Sequence, residues 1–147
     1  EVGGLRGQGL YHWAVGGVDL KDLATRARTS GLEGGALVPG GRVKPDGKRL
    51  DWVCWGLRNH AFGSLIPFFI DWRDSEHPAR SAPRGGKLAG FEVHTPEAAT
   101  LRGIFTVLGI DIPVIEGAVP QLVATLKSGK GSMKLWSFSP VPRGYVI

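Results

Sequence analysis

Residues 12–32 and 90–110 can be laid over each other without a gap at an offset of 78, and this internal repeat narrows the fold more than any other feature. Val15 then meets Val93, Asp19 meets Glu97, Leu23 meets Leu101, Gly31 meets Gly109 and Leu32 meets Ile110. Each copy sets a short run of strand formers ahead of a helix. In the first, Tyr11–Val15 reads as a strand, and Leu20, Leu23, Ala24 and Ala27 recur at the spacing of one helix face. Asp19 suits the N-cap and Gly31 the left-handed C-terminal position. In the second, Lys87–His94 reads as a strand, and Thr95-Pro96-Glu97 opens a helix with Thr95 at the cap and Pro96 at the first helical position. Ala98, Leu101, Phe105 and Leu108 supply the apolar face before Gly109 stops it.

Three strands follow each helix. After the first come Ala36–Val43, Arg49–Leu57 and Leu65–Trp72, the first two joined by a Lys44-Pro45-Asp46-Gly47 turn. After the second come Ile112–Ile115, Gln121–Lys127 and Ser132–Phe138, the last two joined by a Ser128–Gly131 hairpin turn. The charged, Pro- and Gly-rich stretch between the copies reads as a linker. The expected organisation is a flexible N-terminal segment (1–9), a first βαβββ module (10–73), a linker (74–86), a second βαβββ module (87–138) and a tail (139–147). The fold class is α+β, with two paired βαβββ modules forming curved sheets around a cavity.

Composition excludes several classes. Hydrophobic residues make up 42% of the chain and charged ones 21%, which disfavours disorder, and no apolar run approaches the roughly 20 residues of a membrane span. The net charge is +5, but the basic residues are scattered (Arg42, Lys44, Lys48 and Arg49, then Arg80, Arg84 and Lys87), which argues against nucleic acid as a partner. Cys54 is the only cysteine, so there is no intrachain disulfide and no cysteine-rich zinc site. Its WVCWG surroundings suit a buried inert thiol in a cytoplasmic protein. The opening EVGGLRGQG lacks the basic start and apolar run of a secretory signal, and the missing initial Met suggests a trimmed or partial chain. No phosphate loop, nucleophile elbow or HExxH motif occurs.

The segments HWAVGGVDLKDL, GRVKPDGKRLDWVCW, LIPFFIDWRDSEHP and GAVPQLVATLKSGKGSMKL together resemble the vicinal-oxygen-chelate superfamily, and more narrowly the glyoxalase-like domain proteins of bacteria. That resemblance implies paired βαβββ modules, and a divalent metal held by His and Glu on the first and last strands of each module. His12 stands at the first-strand ligand position. Its counterpart at the offset of 78 is Gly90, which cannot ligate. Asp71 is the nearest oxygen donor in FFIDW, while Lys134 stands in MKLWS. Glu92 and His94 share a face with Gly90, so His12, Asp71 and Glu92 form the rearranged candidate metal set. Relatives of this kind carry a further module before the HWAV-type strand, whose lack here would favour a homodimer.

The candidate cavity residues are His12, Trp52, Asp71, Trp72, His77 and Glu92. Trp52 and Trp72 are the two of five tryptophans expected to line it, because aromatic side chains both fill two-sided sheets and line apolar pockets. Asp71 interrupts an apolar strand and needs a partner there. His77 is a candidate rim contact on a loop, and His60 is a turn side chain with a lid role as its functional alternative. The expected function is binding of a small, partly apolar molecule, with no metal assured. The alternatives are a metal-dependent lyase, isomerase or dioxygenase acting on vicinal oxygens, and a structural or partner-dependent oligomeric subunit.

Overall fold

Asp19 starts the first helix as its side chain predicts: Oδ1 accepts the backbone N–H groups of Lys21 and Asp22 at 2.8 and 3.0 Å. The computed structural model describes residues 9–137. The chain runs β1 (Ala14–Gly16), α1 (Leu20–Thr29), β2 (Val38–Val43), β3 (Arg49–Trp55), β4 (Phe68–Asp71), β5 (Lys87–Thr95), α2 (Ala98–Leu108), β6 (Val114–Glu116), β7 (Gln121–Ser128) and β8 (Gly131–Trp136). All but one residue of the expected N-terminal segment, and the whole expected tail, lie outside the described residues. No helix of the described residues is long and apolar enough to cross a membrane.

Among the described residues, eight strands form two four-stranded curved sheets, each with one helix, so the fold class is as the sequence indicates. The chain divides into two compact units. One contains Trp13–Ala61 and Ile66–Arg84, and the other contains residues 9–12, Phe62–Leu65 and residues 85–137.

The first sheet has the order β1-β4-β3-β2, with β1 parallel to β4 and the other pairs antiparallel. Trp55 and Phe69 are directly paired across β3 and β4, with ring centroids 5.8 Å apart and almost no exposure. With Val53, Leu20, Leu23 and Ala27 they make the core of this unit, and α1 packs on β3 and β4. The second sheet has the order β6-β5-β7-β8. Its core is Val93, Leu122, Ala124 and Val114, with Ala98, Leu101, Phe105 and Leu108 on the helix.

Element bounds shift from the sequence expectation where backbone bonding decides them. β1 begins at Ala14 rather than Tyr11, because its parallel partner supplies ladder positions only from Phe68 to Ile70. The Leu65–Trp72 strand begins as a 3-10 turn at Gly63–Leu65 and turns into strand only after Pro67, which has no N–H to donate. Thr95 is not the helix cap. Pairing with Glu116 keeps it in β5, where Oγ1 accepts the N–H of Glu97 at 3.3 Å; Glu97 is the N-cap and Pro96 precedes it in the turn. Within the expected linker a second 3-10 turn spans Pro78–Arg80.

Both predicted turns form. Asp46 Oδ1 accepts the N–H of Lys48 at 3.0 Å, and Gly47 takes φ 80° beside it. Ser128 Oγ accepts the N–H of Lys130 at 3.1 Å in the β7–β8 hairpin.

Candidate functional site

The alternation of β3 places Trp52 on the face opposite Val53 and Trp55, and the β3–β4 register sets Trp72 beside it. The two indoles meet edge-on, with centroids 5.7 Å apart at 61°. Trp72 in turn meets the imidazole of His77, at 5.5 Å and 73°. Three expected cavity residues thus form one aromatic row. Trp52 and Trp72 are half-buried and His77 is exposed, in contrast to the closed Trp55–Phe69 face behind them.

Two residues that support this row were not singled out from the sequence. Gly40 pairs with Trp52 across β2 and β3, and the indole lies over it so closely that a Cβ there would collide with Nε1. Ser75 pins the loop that carries His77: its Oγ accepts the N–H of Asp51 at 2.8 Å, and its N–H donates to the Trp72 carbonyl at 3.0 Å. A glycine inside a strand pattern signals a close approach. Ser75 gave no local signal, since its partner lies 24 residues away.

His77 also caps the Pro78–Arg80 turn, Nδ1 accepting the N–H of Ala79 at 3.1 Å. An accepting Nδ1 carries no proton, so the ring presents Nε2–H. Asp71 has found its partner in the backbone: Oδ1 accepts the N–H of Arg73 at 2.9 Å, closing a turn in which Arg73 takes φ 54°. The acid in the apolar strand is therefore a strand terminator in this structure. Asp71 is on the face of Val53, its register partner, and not on that of Trp72.

Of the remaining expected residues, Glu92 and His12 belong to the other unit, whereas His60 belongs to the unit of Trp52. Glu92 and His94 occupy one face of β5, with Glu92 Oε1 3.0 Å from His94 Nε2. His12 is half-buried in the segment before β1, and His60 is half-buried in the loop after β3. Burial pushes the Cys54 thiol up, away from the reactive thiolate.

These residues do not fit a metal centre. Among the described residues no group of three or more His, Cys, Asp or Glu side chains is placed to hold an ion. Asp71 is spent on a backbone turn and Glu92 on His94, and Gly90 offers no ligand atom.

Residues 3–109 match the glyoxalase-like domain family. The chain belongs to that family. This glyoxalase-like chain has no match among curated proteins. Its fold is similar to that of a hypothetical protein from Staphylococcus aureus, with a TM-score of 0.57 at 12% identity. The similarity covers 90% of this chain and 54% of that one, so the glyoxalase-like chain spans about half the length of the structure it matches. The family match ends at Gly109, the glycine that closes α2, and β6, β7 and β8 lie beyond it.

Proposed function

We propose that this glyoxalase-like protein binds a flat, partly apolar small molecule against Trp52, Trp72 and His77. The observation that carries the reading is the half-open aromatic row on a sheet whose other face is closed by a packed core. Indole faces give apolar area at little conformational cost, and the Nε2–H of His77 adds a polar contact at the rim. The row is held from two sides: Gly40 lies beneath Trp52, and Ser75 anchors the loop that carries His77. A pre-formed platform of this kind loses little entropy when a ligand lands on it.

The five indole N–H resonances give a direct test. Titration with 1-naphthol, a neutral planar probe, is expected to shift those of Trp52 and Trp72 saturably while leaving that of Trp136 in place. Trp72→Leu should weaken binding by about tenfold, the loss of about 1.4 kcal/mol of stacking. An unmoved Trp52 and Trp72, or equal binding by Trp72→Leu, would sink the proposal.

A further inference from the structure

The second sheet carries a basic face that the proposed aromatic site does not use. Lys87 and Lys127 stand directly opposite each other across β5 and β7. Along β8, Ser132 pairs with Lys127, Lys134 with Thr125 and Trp136 with Val123, so alternation sets Lys87, Lys127, Lys134 and Trp136 on one face. Lys130 sits in the hairpin turn at the same end. The four lysines are exposed, and among the described residues none has an ion-pair partner. The acid on this face, Glu92, stands on the row of Val123 and Trp136, away from the Lys87–Lys127 pair, with its Oε1 3.0 Å from His94 Nε2. Trp136 keeps 49% of its surface open, unusual for an indole outside a contact site.

Like charges set directly opposite each other across a ladder oppose folding. Nothing within the described residues offsets the Lys87–Lys127 pair, and an anion seated between the ammonium groups would. Lys134, two residues from Trp136 along β8, stands between that pair and the open indole, which supplies a stacking plane. We infer that this face binds a planar aromatic anion, its phosphate or carboxylate held by Lys127, Lys134 and Lys87 and its ring laid against Trp136. Charge complementarity selects the anion, and the adjacent indole selects an aromatic one over a simple ion.

The test compares 1-naphthyl phosphate, 1-naphthoate, inorganic pyrophosphate and 1-naphthol at constant ionic strength, read at the Trp136 indole N–H. Saturable shifts are expected with the first two, at least about tenfold tighter than with pyrophosphate or naphthol. The phosphate-to-carboxylate ratio then identifies the preferred head group. Lys134→Gln and Lys127→Gln should each weaken naphthyl phosphate by roughly tenfold, and Lys21→Gln on α1 should not. Lys127→Gln without ligand should melt no lower than the parent chain, since it removes a repulsion. Equal shifts with sodium chloride, a silent Trp136, or full affinity in both lysine variants would each overturn the inference. The naphthol response of Trp52 and Trp72 is read in the same spectra, so failure here is separable from failure of the first site.

Discussion

The two units begin alike and end differently. α1 starts at Leu20 and α2 at Ala98, the offset of 78 that relates their sequences, and the residues after the helices, Gly31 and Gly109, both take left-handed φ, 78° and 69°. Leu23 and Leu101 are both fully buried. In both units the strand before the helix gains a parallel neighbour. That neighbour is the last strand in the first unit, β4, but the strand directly after the helix, β6, in the second. Repetition of a strand–helix unit therefore does not dictate which strand completes the sheet.

A single repeat position differs in chemistry where the two units part. Arg102 donates from Nε and from an Nη to the Val114 carbonyl at 3.1 and 2.7 Å, tying β6 to the helix that precedes it. The Val93 N–H then bonds the Pro113 carbonyl at 2.9 Å, at the entry to β6. The residue 78 positions before Arg102 is Ala24, which has nothing to donate. In the first unit the chain leaves α1 free to run out to the β2 edge, where Val38 and Val43 remain exposed.

The comparison breaks most visibly at the glycines under each sheet. Gly40→Ala should cost about 1–3 kcal/mol, because the indole above it must leave its place, and it should also weaken naphthol binding. Gly90→Ala meets only Thr125, at 3.6 Å, an ordinary contact, and should stay within about 0.5 kcal/mol. Thermal melts of the two variants decide, and equal losses would remove the claimed difference in packing.

A smaller effect is expected from Arg102→Ala. Loss of the carbonyl clamp should cost about 1 kcal/mol, discounted for an exposed side chain. Amide exchange by mass spectrometry should then quicken in β6 and leave β1 as it was; unchanged β6 protection would show that the clamp is incidental.

The smallest effect separates the two helix starts. Asp19 holds two backbone N–H groups, whereas Glu97 makes no side-chain cap bond. Asp19→Ala should therefore lower the melting temperature, and Glu97→Ala should hardly move it. Hydrogen bonds from the N–H groups of Asp22 and then Lys21 hold the Asp19 carboxyl below the usual aspartate value, and that from Lys48 does the same for Asp46. A lowered folded value means stabilisation that is fully present above the ordinary aspartate range and is lost as pH falls through the folded value. Acid melts of Asp19→Ala should accordingly converge on the parent only once the pH has fallen below the ordinary aspartate range. A gap that persists there would assign the loss to helix propensity instead.

Local chemistry made much of this legible in advance. The Leu20, Leu23 and Ala27 stripe, the Asp19 cap, Gly31, Gly109 and both turns depend on neighbours a few residues away, and all formed where the sequence placed them. Trp52, Trp72 and His77 were named as lining residues, but Gly40 beneath them and Ser75 behind them were not, because their roles depend on partners in other strands. Asp71 shows the opposite case. Its oddity in an apolar strand called for a partner, and the backbone N–H two residues on took that place.

The sequence by itself determined the elements, their order and the repeat, since helix periodicity, capping and turn bonding are interactions of short range along the chain. Only the tertiary structure decided that β4 closes one sheet and β6 the other, and that Glu92 turns to His94. Strand ladders bond through the same N–H and C=O groups whatever the residue, so the choice of neighbour falls to packing and to side chains such as Arg102, which act across the fold.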